Sequence, residues 1–418
     1  MTRALLVCPE PLGHRQPAGI GIRFIEMAKA LLADGHEVTL LSRDAGSVAG
    51  CRVDAITPEN LERYSGEASV IIVQGHAANE VFAHAAPIPT VVDLYDPFIV
   101  ENLHYYASRG AEVFAHDHAT LIQSLLRGDL FLCASEAQRL FYLGALLATG
   151  RVNPIAFEND PNLDALLRIA PFGVEPPGSA GVTPAVSRKP EPLAGETPAL
   201  PGVLFGAIYD WYDPILAIEA VAIARASLPD ITLTFTTHPN PSLTPQGKLA
   251  DAMKVVGQKR YDFVRFEPWV AYEERASFFA RFGAALMTFP RSIETDLSMR
   301  TRVYDYIWGG LPIVTSSAPG TDELLTRYGA GTIVPSNSPA ELAAALVRVL
   351  RDDHVRMREG ARRFVDEHQW YRALQPLVEF VRAPRIDPSK EAFAATLRLP
   401  EHVPSFLDRI KRRMGGSF

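Results

Sequence analysis

Short apolar runs alternate with amphipathic stretches along most of the chain. The first 45 residues set the pattern: "ALLVC" reads as a strand, "GIGIRFIEMAKALLADG" has helical periodicity ending at Gly35, and "HEVTLL" reads as a second strand. Further strand candidates follow at "SVIIVQG", "PTVVDLY" and "LFLCAS", with helical stretches between them. This alternation predicts a parallel sheet with helices on both faces. The order breaks after "LLRIAPFGVEPPG", where the chain becomes dense in Pro, Gly, Ala, Ser and Thr until about Gly202. It then restarts with "GVLFGAI", "PILAIEAVAIARA", "ITLTFTT", "FVRFEP", "AALMTF", "LPIVTS" and "AGTIVPS". The expected organisation is a first domain over 1–172, a linker over 173–201, a second domain over 202–382 and a helical tail over 383–418. That tail is expected to pack across the domain junction, back toward the first domain.

Composition narrows the function classes without choosing among them. Of 418 residues, 47% are hydrophobic and 21% charged, which suits a soluble chain with a large core. The formal charge of −7 argues against a nucleic-acid partner, because phosphate backbones are bound by clustered Lys and Arg. Cys8, Cys51 and Cys133 have no metal-type spacing and read as thiols in a reducing compartment. The first residues hold too short an apolar run for a signal peptide, and no stretch approaches the ~20 apolar residues that span a bilayer. A cytoplasmic location follows as the expectation. The end piece "SFLDRIKRRMGG", with Arg409, Lys411, Arg412 and Arg413, reads as a solvated helix, with a weak peripheral membrane contact as its alternative.

In "SIETDLSMRTRVYDYIWGGLPIV", residues 292–314, Glu294, Asp296, Arg300, Arg302 and Asp305 stand close together just ahead of a run fit for a buried strand. "AALMTF" ends a strand near Phe289, a loop over 290–298 follows, and a helix is expected from Met299 to Trp308 with Ser298 as its N-cap. Gly309, Gly310 and Pro312 stop it before the next strand. Glu294, Arg300 and Arg302 therefore fall at a strand's carboxyl edge and a helix N-terminus, where free N–H groups and the helix dipole favour an anion. Arginines add paired donors for phosphate oxygens, so the corner suits a diphosphate. Asp305, one turn beyond Thr301, can accept hydroxyl hydrogens from a ribose; the alternative is an i,i+3 ion pair between Arg302 and Asp305.

The ending "DYIWGGLPIV" resembles the nucleotide-binding signature of retaining glycosyltransferases of the family-4 (group 1) kind, where a Glu-x7-Glu motif runs into "EAMACGxPVV". "GIGIRFIEMAKALLADGHEVTLL" resembles that family's N-terminal glycine loop, helix and strand, and "APFGVE" its turn into the linker. The resemblance implies a GT-B fold: α/β, two doubly wound Rossmann-like domains facing a central cleft. It implies an enzyme moving a sugar, with retention of configuration, from a nucleotide-diphosphate donor to a glycan, lipid-linked glycan or small-metabolite acceptor. No cofactor or metal is implied. Asp305 falls on the family's second Glu, which binds the donor ribose, and Glu294 is nearest to the first, near the donor sugar. Ten residues rather than seven separate them. The family's "GRL...KG" segment supplies an Arg and a Lys to the diphosphate; here Ala207, Tyr209, Trp211 and Tyr212 occupy that region, which points to Arg300 and Arg302 as substitutes.

Residue by residue, Gly19 and Gly21 let backbone approach a phosphate or an acceptor, or simply turn the chain into its helix. Gly206 does the same for the donor diphosphate, and Trp269 packs the donor base or the core. Asp96 is the candidate for touching the donor sugar, against a helix cap before Pro97. His76 faces the acceptor or a surface loop, and His238 reads as structural. Ser135 caps a helix whose Gln138 and Arg139 form its exposed side. The expected catalytic set is thus Asp96, Glu294 and Arg300, and the donor set Gly206, Trp269, Arg300, Thr301, Arg302 and Asp305. Neither G-x-G-x-x-G after the first strand nor a P-loop is present, and Asp93 with Asp96 is mis-spaced for a metal-binding Asp-x-Asp pair. Two alternatives stay open: a nucleotide-sugar 2-epimerase of the same fold, and a non-catalytic relative that binds nucleotide sugar or assists a partner.

Overall fold

The computed structural model describes residues 1–13, 17–175, 202–237, 246–271 and 274–390. Most of the 173–201 linker, His238 and the basic tail beyond Lys390 lie outside the described residues.

Thirteen strands form two wholly parallel sheets among the described residues. The first holds β1 (Arg3–Val7), β2 (Glu37–Ser42), β3 (Arg52–Ala55), β4 (Val70–Gln74), β5 (Thr90–Asp93), β6 (Leu130–Cys133) and β7 (Leu167–Ile169), in the order β3-β2-β1-β4-β5-β6-β7. The second holds β8 (Gly202–Ala207), β9 (Thr232–Thr236), β10 (Val264–Glu267), β11 (Ala284–Met287), β12 (Ile313–Thr315) and β13 (Gly331–Ile333), in the order β10-β9-β8-β11-β12-β13. Each order reverses beside the first strand of its domain, and in such sheets ligands sit outside the carboxyl ends at that reversal. The fold is the expected pair of doubly wound domains.

Burial explains which strands the pattern reveals. β4 is buried along its whole length and β1 at all but its first residue, so both read as continuous apolar runs. Arg52–Ala55 and Leu167–Ile169 form edge strands that the hydrophobic pattern does not announce. They are short, and most of their residues are only half-buried, so no apolar run marks them.

The chain returns to the first domain earlier than the expected boundary at 383. Helix Gln375–Arg382 packs on helix Gly19–Ala33 and on β6. Arg382 pairs with Asp34, Asp387 with Arg151 at 2.6 Å, and Lys390 with Asp129 at 2.7 Å. At the crossover Phe172 lies between the domains, its ring 4.5 Å from Trp370, 5.9 Å from Tyr95 and 6.0 Å from Tyr304. Gln138 corrects the expectation of an exposed helix side. It is fully buried and donates from Nε2 to the carbonyls of Tyr95 (2.9 Å) and Leu297 (3.0 Å), joining the two domains. A second buried group, Arg23, forms a paired bond to Asp93 (2.7 and 2.9 Å) and donates to the carbonyls of Ala170 and Pro171.

Candidate active site

The corner after β11 differs in detail from the expected loop and single helix. A short helix, Ile293–Leu297, interrupts the loop, capped by Ser292, whose Oγ accepts from Thr295 N at 3.1 Å. The following helix spans Thr301–Trp308 with Arg300, not Ser298, in the N-cap position, and no side chain caps it. Ser298 instead donates to Glu101 Oε1 of the first domain at 3.1 Å. An N-terminus without a cap leaves donors and a partial positive charge at the cleft. Gly310 at φ +69° turns the chain out of the helix, as "GGLP" leads one to expect.

Three arginines surround this corner. Arg300 is 5% exposed and both its terminal nitrogens bind Glu294, itself 1% exposed, with Nη2–Oε2 at 2.7 Å. Its Nε has no hydrogen-bond partner among the described residues. Arg302 lies over the Trp269 ring, its guanidinium carbon 4.1 Å from the centroid, and reaches Asp305 at 3.1 Å. The i,i+3 pair weighed from sequence therefore exists, but in the wall of the cleft. Arg275, which the sequence pattern does not single out, approaches Asp305 at 3.7 Å and Glu175 at 3.5 Å and stacks on Trp308.

The first domain meets this corner closely. A Cβ on Gly19 would lie 3.3 Å from Thr301 Cγ2, and Tyr95 Oη donates to the Met299 carbonyl at 3.2 Å. Between the domains lies a cavity of ≈ 320 Å³. Asp96, Trp269, Arg300, Thr301, Arg302, Asp305 and Gly19 line it, so the fold brings seven of the sequence candidates together from both domains.

Four candidates do not line it. Glu294 lies behind Arg300. Gly21 has its N–H taken by Glu10 Oε2 at 2.8 Å, and a Cβ there would stand 2.9 Å from that oxygen, so this glycine seats a carboxylate of the protein itself. His76 bonds Asp117 at 2.7 Å and stacks on His116, 5.2 Å away. Gly206 borders a smaller adjoining hollow, where a Cβ would stand 3.3 Å from Arg302 Cδ. Where the family signature supplies Arg and Lys, Tyr209 stacks on Trp211 at 4.8 Å, and Trp211 reaches across to Tyr105 at 6.1 Å.

Sequence reasoning named Asp96 but missed the two carboxyls beside it, Glu10 and Glu101. Glu10, Asp96 and Glu101 all line the cavity. Burial pushes the Glu10 carboxyl up to about 7, and the nearby Asp96 charge adds to this, while the N–H groups of Gly21 and Ala18 pull it down. Burial likewise raises Asp96 to about 6 and holds Glu101 well above its ordinary range, and the two side chains hydrogen-bond each other. Nothing in the local pattern marks Glu10 or Glu101, since only the folding of the first domain brings them together around Asp96.

The sequence model of the family described as "Glycosyl transferases group 1" matches residues 203–352. Compared by sequence with curated proteins, the chain has no significant match. Among solved structures it is similar to Anabaena HepE in complex with UDP and glucose, with a TM-score of 0.65 at 14% identity, covering 92% of this chain and 100% of that one. It is also similar to WaaG, a glycosyltransferase involved in lipopolysaccharide biosynthesis (TM-score 0.61, 15% identity, 91% and 100% covered). Sucrose-phosphate synthase from Thermosynechococcus elongatus gives 0.60 at 15% identity, with 91% and 98% covered. At these identities the likeness speaks to the fold, which is GT-B.

Proposed function

We propose, from the match of residues 203–352 to the group 1 glycosyl transferase model and from the GT-B fold, that this protein transfers a sugar from a nucleoside diphosphate donor held in the interdomain cavity. The observation that carries the reading is one corner: an uncapped helix N-terminus flanked by Arg300 and Arg302, with Asp305 one turn on, opening into that cavity. Free helix N–H groups and guanidiniums are what a diphosphate binds.

In the reaction the bond between the sugar's anomeric carbon and the diphosphate oxygen breaks, and the acceptor oxygen bonds that carbon on the same face. The acceptor's proton passes to the departing phosphate oxygen. The protein's part is electrostatic: Arg302, the Arg300 guanidinium at the lining and the N–H groups of the helix beginning at Thr301 would act on the charge that grows on the diphosphate. Asp305 would accept the ribose hydroxyls, exchanging its Arg302 contact for the ligand. Trp269 offers an aromatic face near the base. Asp96 and Glu101 face the sugar side. The likeness to a UDP-bound structure makes UDP the first nucleotide to try.

The test is calorimetric titration with UDP, GDP and dTDP, followed by incubation with their sugar derivatives to detect slow release of free sugar. Binding of one nucleotide is expected, with Arg302→Ala weakening it by about 1.5–3 kcal/mol, the range for hydrogen bonds to charged groups. No binding of any of the three, or an unchanged affinity in the variant, removes the reading.

A further inference from the structure

We propose that Gln138 of the first domain is a positioning residue for the diphosphate corner of the second. With Tyr95 and Glu101 it holds the segment 297–299, and through that segment it sets the first turn of helix Thr301–Trp308. This rests on the donor diphosphate binding at that turn.

The two helices after β11 are seated differently. Helix Ile293–Leu297 is capped from its own domain by Ser292. Helix Thr301–Trp308 has Arg300 in the N-cap position and no side-chain cap, so a cap does not fix the angle at which the chain enters it. The entry is extended, with Ser298 at φ −74°, ψ 128° and Arg300 at φ −69°, ψ 105°. Each residue of the segment is held by a first-domain side chain: the Leu297 carbonyl accepts from Gln138 Nε2 at 3.0 Å, the Ser298 hydroxyl donates to Glu101 Oε1 at 3.1 Å, and the Met299 carbonyl accepts from Tyr95 Oη at 3.2 Å. The next residue is Arg300, whose carbonyl accepts from Val303 N at 3.0 Å and closes the first turn. Movement of the segment therefore passes straight to the free N–H groups of that turn.

Gln138 does this without touching the ligand. Tyr95, Glu101 and Ser298 line the cavity, whereas Gln138 is fully buried and does not. Its amide is used completely: Oε1 accepts from Ala134 N at 2.7 Å, and Nε2 donates to the Tyr95 carbonyl at 2.9 Å as well as to Leu297. The same side chain thus fixes the backbone of Tyr95, whose hydroxyl holds Met299, and the backbone of Leu297. Losing the amide loosens both ends of the segment at once. Donors must stand roughly 2.7–3.2 Å from a phosphate oxygen, so a small displacement of the turn weakens its hold on a diphosphate.

The full chain and Gln138→Met, which keeps the side chain's length and removes its donors, are titrated by ligand-observed NMR with UDP, GDP and dTDP and with uridine, guanosine and thymidine. For the nucleotide that the parent binds, the variant is expected to raise Kd at least ~10-fold while the matching nucleoside, which lacks the phosphates, changes by less than ~2-fold. A loss of packing alone would lower the unfolding midpoint and leave the ratio of the two affinities where it was. Should Gln138→Met fail to fold, Tyr95→Phe deletes only the hydroxyl that reaches Met299, and a loss of about 3-fold confined to the diphosphate is expected. An unchanged diphosphate affinity in the variant that folds, or equal losses for nucleotide and nucleoside, overturns the inference and leaves the donor reading standing. If the parent binds none of the three diphosphates, the donor reading falls and this inference falls with it.

Discussion

The two domains each present a helix N-terminus to the same cavity, and the two corners are electrostatic opposites. At helix Gly19–Ala33 a carboxylate from the preceding loop, Glu10, occupies the free N–H groups. At helix Thr301–Trp308 the N-cap position belongs to Arg300, no side chain fills the turn, and guanidiniums stand around it. Both corners lie where the chain passes from a parallel strand into a helix and begin with the same partial positive charge. What separates them is one side chain in each loop. The fold supplies two anion sites, and the sequence closes one and reinforces the other.

The largest test of that contrast removes the reinforcement. Were Arg300 only a phosphate ligand, Arg300→Ala would cost ~1.5–3 kcal/mol of binding and little else. Its pairing with Glu294, 1% exposed, makes the consequence larger, because the substitution strands a buried carboxylate. A stability loss of about 3–5 kcal/mol is expected in denaturant unfolding, with nucleotide binding lost as well. Arg300→Ala/Glu294→Ala should recover part of the stability but not the binding. A single variant as stable as the parent would mean that the pair is not buried in solution, and the second corner would then be no better built than the first.

The opposite corner is tested through pH. The Glu10 carboxyl is raised from 4.5 to about 7, chiefly by burial, so the fold disfavours its charged form. Below pH 4.5 it is protonated in both folded and unfolded chains and contributes nothing. Between 4.5 and about 7 the unfolded chain loses the proton first, so stability falls as pH rises, and above 7 the whole penalty is present. Glu10→Gln keeps an oxygen for the Gly21 N–H and removes the charge. The variant should equal the parent near pH 4.5 and exceed it by about 1–3 kcal/mol at pH 8. Asp96 and Glu101 titrate in both proteins and largely cancel in the difference. Parallel curves would place Glu10 in solvent and end its role as a filled cap.

How far the sequence discloses this contrast follows from how far each feature is local. Strands β1, β4, β8, β11 and β12 are buried apolar runs, and the "GGLP" stop is written in glycine and proline, so the architecture and the helix after Phe289 are readable one segment at a time. The edge strands Arg52–Ala55 and Leu167–Ile169 are not, because half-buried edges carry no apolar signature. Arg300, Arg302, Thr301 and Asp305 are legible because they share one short stretch. Glu10 and Glu101 are not, since their meaning comes from partners far along the chain: Glu101 meets Ser298 only when the cleft closes. Gln138 misleads for the same reason. Its amide is used up between the Tyr95 carbonyl of its own domain and the Leu297 carbonyl of the other, a partner 159 residues along the chain.

The smallest expected effect asks whether the two corners touch in solution at all. Gly19 opens the first-domain helix, and a methyl there would press on Thr301 Cγ2 at 3.3 Å, tighter than most such contacts. Alanine also favours helix over glycine by up to about 1 kcal/mol, so the net change for Gly19→Ala is small and of either sign. The sign is therefore the wrong readout, and the coupling is the right one. Thr301→Ser removes the facing methyl and should relieve Gly19→Ala by about 0.5 kcal/mol beyond additivity, measured as a double-mutant cycle on unfolding stability. Strict additivity would mean that the cleft stands open in the free protein. The Glu10 wall and the Arg302 corner would then meet only around a ligand, and their opposite charges would act on the order in which donor and acceptor arrive.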